Sequence, residues 1–303
     1  MDIYLPIAEM AVNALIIVAL GGLVGVLSGL FGVGGGFLTT PLLIFYGVPP
    51  TVAVASATTQ VTGTSVSGAA AHMRRGGIDF PMAGVMIVGG IMGSLIGVGL
   101  FRLLQASGQF DLVIGFLYVL LLGGIGGLML RDAVVALGWV DPPKRKGPRR
   151  RHHRWIAALP LRWRFYASGL YISPIAPALV GLGAGILTVL LGVGGGFIVI
   201  PAMIYVLGMA ARVVVGTSLV MILAVSAFTT LVHALTTQAV DIVLAILLLF
   251  GSVVGAQYGV LIAHKVKPDL LRLALAVIIL AVAARMLLGL TYRPDDIFTV
   301  TIL

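Results

Sequence analysis

The chain is dominated by long apolar runs, and polar positions are concentrated in the intervals between them. Runs of about 20 apolar residues predict helices that cross a bilayer, but the second run in each half is short. Eleven helical residues rise only about 16 Å, about half of the hydrocarbon core. The pattern predicts an all-α integral membrane protein with about 8–10 membrane segments, at 11–31, 37–47, 51–73, 81–104 and 110–130, then 168–191, 197–207, 212–235, 241–263 and 269–290.

Composition favours the same fold class. Hydrophobic residues make up 60% of the chain and charged residues 10%, whereas a soluble domain keeps roughly a quarter of its residues charged. So few charges could not cover the water-facing surface of a chain of 303 residues. The chain contains no cysteine, which excludes disulfides, thiol catalysis and thiolate metal sites.

An internal repeat divides the chain into two halves. The segment Phe31-Gly-Val-Gly-Gly-Gly-Phe37 returns 160 positions later as Leu191-Gly-Val-Gly-Gly-Gly-Phe197, and a proline follows each copy. Further features recur in the same order: Ser56-Ala57-Thr58 with Gly216-Thr217-Ser218, His72 with His233, Asp79 with Asp241, and Gly89, Gly93, Gly97 with Gly251, Gly255, Gly259. The sequence therefore predicts a first membrane repeat at 1–130, a basic linker at 131–165 and a second membrane repeat at 166–303.

Most of the net charge of +9 lies in the predicted linker. Ten Lys and Arg side chains stand against two Asp between residues 131 and 165, which leaves +8 there. A basic loop between spans marks the cytoplasmic side of a membrane protein. The cluster from Lys144 to Arg154 could also attract anionic lipid headgroups, and nucleic-acid binding is the remote alternative.

The remaining positive charges favour five crossings in each half. With the linker inside, five crossings leave only Arg102 in an outer loop. The same arrangement places five other basic residues inside, namely Arg74, Arg75, Arg212, Lys265 and Lys267. An odd number of crossings makes the two repeats inverted relative to each other, which is the plan of many secondary transporters. Both chain ends are then expected outside.

The two glycine motifs are the sharpest candidate for a binding site. Three successive glycines weaken a helix by roughly 1 kcal/mol each relative to alanine. A glycine turn before a helix N-terminus points N–H groups and a positive dipole end at one place. The motifs therefore predict a midplane anion site built from the backbone amides of Gly34, Gly35, Gly36, Gly194, Gly195 and Gly196. The alternative is that the glycines permit close helix packing or a tight turn.

Hydroxyl and amide side chains are dense in the third segment of each half. Ser and Thr can donate hydrogen bonds to an oxyanion, and Gln adds two donors. Further substrate ligands are therefore predicted at Ser56, Thr58, Gln60, Thr217 and Ser218. The alternative for all of them is hydrogen bonding between helices, which Ser and Thr commonly provide in membrane bundles.

Ionisable residues are scarce inside the predicted spans. His72 and His233, near the cytoplasmic ends of corresponding segments, are candidates for gating or pH sensing, and a structural role is the alternative. The carboxylates of Asp79, Asp111, Asp241 and Asp269 sit at segment starts, where helix capping is expected. Metal-ligand sets and nucleophile–base pairs are not visible, so neither a cofactor nor an enzymatic activity is predicted.

At the repeated Gly-Val-Gly-Gly-Gly-Phe…Pro motifs, with Gly-Thr-Ser beginning at Gly216, the chain resembles the TauE/SafE sulfite exporter family. The same family is called the 4-toluene sulfonate uptake permease family. The resemblance covers nearly the whole chain outside the basic linker. It implies transport of a small sulfur-containing anion such as sulfite, sulfoacetate or another sulfonate, in a bacterial or archaeal plasma membrane. The first half departs from the pattern, because Ser56-Ala57-Thr58 stands where the second half has Gly-Thr-Ser.

Other functions and an assembly remain open from the sequence. An anion channel would use the same donors in an open pore. A non-transporting scaffold would use the basic loop as a docking surface, and a membrane-embedded enzyme lacks visible catalytic groups. Glycine-rich faces such as Gly89, Gly93 and Gly97 permit a homodimer without demanding one.

Overall fold

A computed structural model describes residues 2–31, 35–74, 77–138, 162–209, 211–263 and 268–291. The described residues form ten helices, five in each half, and two short β-hairpins. In the first half these are β1 (Asp2–Leu5), β2 (Met10–Asn13), α1 (Ala14–Phe31), α2 (Gly36–Phe45), α3 (Pro50–Arg74), α4 (Phe80–Ala106) and α5 (Phe110–Ala136). In the second half they are β3 (Trp163–Phe165), β4 (Leu170–Ile172), α6 (Ile175–Leu191), α7 (Gly196–Val206), α8 (Ala211–Thr236), α9 (Ile242–Ala263) and α10 (Pro268–Thr291).

The helices confirm the predicted fold class of an all-α integral membrane protein. Five of them, α4, α5, α8, α9 and α10, are long and apolar enough to cross a membrane. Shorter apolar helices are α1, α2, α6 and α7. The helix α3 is long but rich in Ser and Thr, and it lies inside the bundle with many of its polar side chains buried.

Two β-hairpins lie where the sequence predicts the beginnings of spans, so the predicted segments 11–31 and 168–191 start too early. Strand β1 pairs with β2, and β3 with β4, in antiparallel register. The chain reverses at Glu9, with φ of 52°, and at Gly169, with φ of 64°. A helix cannot continue through a residue with positive φ, so each helix begins only after the hairpin. The length of an apolar run does not reveal such a turn. At the linker, α5 continues to Ala136 and β3 begins at Trp163.

The two halves interlock, because most helices pack against a helix of the other half. Helix α1 packs against α9, α4 against α6, α3 against α8, and α5 against α10. The first helix of each repeat thus contacts the fourth helix of the other, and the third and fifth helices contact their own counterparts. An approximate two-fold relation between the repeats produces this reciprocal pairing. Their inversion across a membrane stays a prediction.

Glycines allow the closest of these contacts. A Cβ at Gly93 in α4 would overlap the carbonyl oxygen of Leu182 in α6, and Gly255 in α9 stands in the same relation to Gly22 in α1. Small residues let helix backbones approach each other in lipid. The face formed by Gly89, Gly93 and Gly97 is therefore used within the chain, and it is not a free surface for a second copy.

Hairpin 1 (β1 and β2) and hairpin 2 (β3 and β4) lie at opposite ends of the helix bundle. Leu5 of hairpin 1 shares an apolar cluster with Val48, just before α3. Asp79, which follows α3, accepts a hydrogen bond from Ser168 in the turn of hairpin 2. Helix α3 therefore runs from the hairpin-1 end to the hairpin-2 end, and its 25 residues rise about 37 Å.

The short helices turn back inside the bundle. Gly35 lies against Val24 and Ser28 of α1, whereas Leu43 shares a cluster with Ile17 near the start of α1. Helix α2 is therefore antiparallel to α1 and runs from the middle of the bundle to the hairpin-1 end. Helix α7 returns alongside α6 to the hairpin-2 end in the same manner.

Candidate functional site

The glycine turn of the second half interrupts the chain between α6 and α7. Gly192, Gly194 and Gly195 have φ values of 69°, 68° and 75°. This left-handed conformation is free of strain only for glycine. In the first half, Gly36 is the first residue of α2. Gly34 lies outside the described residues.

The two glycine motifs meet at the centre of the bundle. Phe37 and Phe197, which directly follow the glycines, stack with ring centroids 4.5 Å apart and planes inclined by 10°. The carbonyl oxygens of Gly192 and Val193 lie 3.1 and 3.0 Å from the position that a Cβ of Gly36 would take. The fold therefore brings the predicted glycine sites of both halves together.

The second turn carries backbone N–H groups that have no acceptor within the described parts of the chain. Gly194, Gly195 and Gly196 donate no hydrogen bond there. Gly195 is left-handed and Gly196 begins a right-handed helix, an alternation that points successive N–H groups at one place. Buried N–H groups are nearly always paired in proteins, so this arrangement suits a ligand that supplies the acceptors.

The turns are also closely packed against α3. A Cβ at Gly36 would overlap one γ-methyl group of Val61, and a Cβ at Gly194 would overlap the other. Val61 therefore lies between the two motifs. Only glycine leaves enough space at positions 36 and 194, as the packing interpretation predicts. The binding interpretation instead depends on the N–H groups of Gly194–Gly196, which have no acceptor among the described residues.

Three of the predicted hydroxyl ligands, Thr58, Thr217 and Ser218, bond their own helices. Thr58 Oγ1 donates to the carbonyl oxygen of Val54 at 2.8 Å, and Ser218 Oγ donates to that of Val215 at 2.9 Å. Both side chains are fully buried. Such bonds satisfy a Ser or Thr hydroxyl inside a helix without any ligand.

Ser56 and Thr217 bond across the two halves. Ser56 Oγ accepts from the backbone N–H of Asp241 at 3.2 Å, and Thr217 Oγ1 accepts from that of Asp79 at 3.0 Å. Ser56 and Thr217 therefore do the same thing in the two halves and are equivalent positions, 161 residues apart. The sequence comparison of the repeats instead matches Ser56 with Gly216. The alignment is therefore wrong by one residue here.

Gln60 is the predicted side-chain ligand with a polar atom left unpaired. Its side chain is 2% exposed, and its Oε1 atom has no hydrogen-bond partner among the described residues. An unsatisfied buried polar group costs about 1–3 kcal/mol. Gln60 directly precedes Val61, the residue that touches both glycine turns. Ser65, further along the same helix, has an unpaired buried hydroxyl as well.

A buried polar group at the second turn was not predicted from the sequence. Tyr118 in α5 and Thr40 in α2 both donate to the carbonyl oxygen of Leu191, the residue before Gly192. Both side chains are fully buried. A tyrosine within the apolar span 110–130 is the signal that could have found this group, because a buried Tyr hydroxyl usually has a partner.

The two histidines lie towards opposite ends of the bundle, which corrects the prediction that both are at cytoplasmic ends. His72 stands near the end of α3, close to Asp79, and its Nδ1 pairs with the carbonyl oxygen of Gly68 at 3.0 Å. His233 is fully buried, with its Nε2 3.2 Å from the carbonyl oxygen of Val189. The pair is separated because α3 ends beside hairpin 2, whereas the end of α8 leads to Asp241 beside hairpin 1.

A surface cleft of about 290 Å³ opens at the hairpin-1 end between α2, α5 and α10. Asp111 and Arg285 line it, and the Arg285 guanidinium lies 5.3 Å from the ring centre of Phe45. The cleft does not include the glycine turns. The basic cluster Lys144–Arg154 lies outside the described residues. Within those residues, no group of three or more His, Cys, Asp or Glu could hold a metal ion.

Within the described residues, nine apolar helices and the Ser- and Thr-rich α3, with the two glycine motifs meeting at the centre, define a multi-pass helical membrane protein with the plan of a solute transporter. The chain belongs to the family Sulfite exporter TauE/SafE, which matches residues 17–286. The resemblance stated from the motifs is thereby confirmed.

Similar proteins are described as transporters. The chain is 30% identical over 279 residues to a "Probable membrane transporter protein" of Xylella fastidiosa (strain Temecula1), with 90% of this chain and 95% of that protein covered. It is 29% identical over 267 residues to "Probable membrane transporter protein YjnA" of Bacillus subtilis (strain 168), with 87% and 96% covered. It is 25% identical over 288 residues to YunE of the same strain, with 90% and 96% covered. No solved structure matches the chain.

Proposed function

We propose that the protein is a secondary carrier for a small sulfur-containing anion such as sulfite, sulfoacetate or another sulfonate. Its family and the names of its relatives support transport across a membrane. The observation that carries the choice of an anion is the set of N–H groups at Gly194–Gly196, in the middle of the bundle, that find no acceptor in the part of the chain that the structure describes. A substrate rich in oxygen acceptors would satisfy them.

In this proposal backbone dipoles replace the hydration of the anion. The oxygens of a sulfite or sulfonate group accept hydrogen bonds in several directions from the converging N–H groups of the turn. The N-terminal ends of α2 and α7 add partial positive charge at the same place. The Nε2 group of Gln60, a further buried amide, would be the donor from α3. Gly34, Gly35 and Gly36 would contribute from the first half.

A carrier is favoured over an anion channel by the packing at the centre. Phe37 and Phe197 stack face to face, and Val61 occupies the space between the turns. An open pore along this axis would require these side chains to be displaced permanently. Movement of one half relative to the other would instead open the centre to one side at a time.

The proposed setting is a bacterial or archaeal plasma membrane, with the linker 131–165 inside and both chain ends outside. The charge of the linker supports this orientation. Contact between Lys144–Arg154 and anionic headgroups stays a prediction, and so does a homodimer. His72 and His233 remain candidates for gating or pH sensing.

A thermal-shift panel on the purified protein tests the proposal. The panel contains sulfite, sulfate, sulfoacetate, taurine and acetate. A ligand that binds only the folded state stabilises it by about 2.7 kcal/mol at 100 times its Kd. We expect sulfite or a sulfonate to raise the Tm and acetate to leave it unchanged. The proposal is contradicted by equal shifts with acetate, or by no shift with any member.

A matched pair of variants tests the site itself. Gly195→Ala forces a side chain onto a residue with φ of 75° and places its Cβ 3.3 Å from that of Ala184. Gly183→Ala adds a methyl group in α6 where no atom lies within 4 Å. We expect the first variant to lose the sulfite-dependent shift and the second to keep it. Equal shifts in both would remove the glycine turn from the binding site.

A further inference from the structure

Asp79 is a fully buried carboxylate that joins the two halves. It caps α4, because Oδ1 accepts from the N–H of Met82 at 3.1 Å, as its place at a segment start predicts. Its Oδ2 accepts from the N–H and the hydroxyl of Ser168, in the turn of hairpin 2, at 2.9 and 2.6 Å. Its own N–H donates to Thr217 in α8. Asp79 of the first half thus holds two separate elements of the second, hairpin 2 through its carboxylate and α8 through its backbone N–H.

Asp241 makes the same linkage at the other end of the bundle. It is also fully buried, and its Oδ1 caps α9 by accepting from the N–H of Leu244 at 3.0 Å. Its Oδ2 accepts from the N–H of Ile7, in the turn of hairpin 1, at 3.1 Å. Its own N–H donates to Ser56 in α3. Asp241 of the second half thus holds two elements of the first, hairpin 1 through its carboxylate and α3 through its backbone N–H.

The internal repeat makes the two linkages equivalent. Ile7 and Ser168 stand 161 positions apart, as do Ser56 and Thr217. Within the described residues, each carboxylate is balanced by N–H and O–H donors alone. A hydrogen bond to a carboxylate is roughly twice as strong as one between neutral groups. The bonds from Ser168 to Asp79 and from Ile7 to Asp241 therefore hold each hairpin firmly to the opposite half.

Each hairpin also covers the junction of the short helix and the third helix in its own half. Leu5 of hairpin 1 packs in one cluster with Val48, between α2 and α3. Phe165 of hairpin 2 packs in one cluster with Met209, between α7 and α8. Val48 and Met209 are again 161 positions apart, and they are 1% and 4% exposed. Each hairpin therefore bridges its own short helix and the fourth helix of the other half.

We infer that the hairpins are gates at opposite ends of the transport path, and that Asp79 and Asp241 hold them shut. The inference rests on the proposed carrier mechanism, although not on the identity of the anion. Relative movement of the halves must strain these linkages, because every one of them crosses between the halves. Both are closed in this structure, in agreement with the closed packing between Phe37 and Phe197.

The two gates differ in strength. Asp79 holds hairpin 2 with two hydrogen bonds from Ser168, whereas Asp241 holds hairpin 1 with one from Ile7. Hairpin 1 is therefore expected to open more often than hairpin 2.

The absence of cysteine from the chain makes gate opening directly measurable. A single cysteine introduced as Val48→Cys lies beneath hairpin 1, and one introduced as Met209→Cys lies beneath hairpin 2. The reporters are equivalent positions of the repeat and are both buried while the gates are shut. The measurement is the rate at which a polar maleimide labels each reporter in nanodiscs, where both ends of the protein are accessible.

Asp241→Asn is expected to raise the labelling rate of Val48→Cys about tenfold, because the loss of a charge-assisted hydrogen bond changes an equilibrium by about that factor or more. It is not expected to raise the rate of Met209→Cys. Asp79→Asn is expected to do the reverse. Asp111→Asn is the matched control, since this exposed carboxylate at the start of α5 caps no helix, and it should change neither rate.

Milder substitutions keep the test decisive if an Asn variant does not fold. Ser168→Ala removes only the hydroxyl bond to Asp79, and Ser56→Ala removes only the acceptor of the Asp241 N–H. Each is expected to raise the labelling rate about fivefold at its own end alone, as loss of one hydrogen bond predicts.

Equal increases at both reporters would show general loosening of the bundle and overturn the inference. Unchanged labelling beneath the hairpin whose linkage was weakened would overturn it as well. Labelling requires no substrate, so a negative result here differs from a negative result in the thermal-shift panel, which judges the anion alone.

Discussion

Val61 leaves no room for a side chain at Gly194, so a substitution there should lower the free energy of unfolding. In Gly194→Ala the new Cβ overlaps a γ-methyl group of Val61, and the residue must keep a φ near 68°. Overpacking of a closed interior costs about 1–3 kcal/mol, and a left-handed alanine adds about 1–2 kcal/mol. We therefore expect the free energy of unfolding to fall by about 2–5 kcal/mol.

The second substitution Val61→Ala separates these two contributions. It removes the γ-methyl group that the new Cβ overlaps, so most of the steric cost is lost, while the cost of the left-handed conformation stays. A double-mutant cycle should therefore give a coupling free energy of about 1–3 kcal/mol between residues 61 and 194. In the Val61→Ala background, Gly194→Ala should still cost about 1–2 kcal/mol.

The assay is reversible unfolding in mixed micelles at increasing sodium dodecyl sulfate, followed by circular dichroism. Gly183→Ala is the control, because its added methyl group meets open space and alanine is the better helix former. It should leave the protein equally or slightly more stable. The reasoning is refuted if Gly194→Ala unfolds like the unsubstituted protein, or if Val61→Ala does not reduce its cost.

Three further substitutions test the packing of the centre and of the interlocked helices. Tyr118→Phe removes one of two donors to the carbonyl oxygen of Leu191 and should lower the free energy of unfolding by about 1 kcal/mol. Gly93→Ala drives a Cβ into the backbone of Leu182 and should cost about 1–3 kcal/mol. Phe197→Ala removes one ring of the central stack and should cost about 3–5 kcal/mol. The same micelle unfolding assay measures all three, and a cost below 0.5 kcal/mol, roughly the spread of neutral surface changes, would contradict the corresponding contact.

Two further positions provide controls for these substitutions. Tyr166 is 81% exposed, so Tyr166→Phe removes a hydroxyl without breaking a buried hydrogen bond. Gly123 in α5 has no atom within 4 Å of a Cβ position, so Gly123→Ala adds the same methyl group as Gly93→Ala without an overlap. Neither change should lower stability.

The helices were largely predictable from the sequence, because lipid imposes a strong pattern on every span. The predicted segment 51–73 corresponds to α3 at Pro50–Arg74, and 81–104 to α4 at Phe80–Ala106. The short runs 37–47 and 197–207 correspond to α2 and α7. The hairpins were missed because strands of three or four apolar or mixed residues lie next to a span and extend its apolar run.

The partners of the site residues were not predictable in the same way. The hydroxyls of Ser56 and Thr217 look like ligands in the sequence, yet each accepts from an aspartate N–H that lies 185 and 138 positions away. Only the folded arrangement of two intertwined halves creates these contacts. A glycine run, in contrast, predicts an irregular turn from the sequence alone, because glycine permits left-handed backbone wherever it occurs, as at Gly194 and Gly195.

Hydrogen–deuterium exchange with and without saturating sulfite tests most directly whether the glycine turn binds the anion. The account predicts that sulfite slows exchange in peptides covering 192–197, which include the N–H groups of Gly194–Gly196 that have no acceptor in the described chain, and that acetate does not. Stabilisation of the protein by sulfite with unchanged exchange at 192–197 would contradict it. Protection confined to peptides around Arg285 would contradict it too, and would assign the anion to the surface cleft.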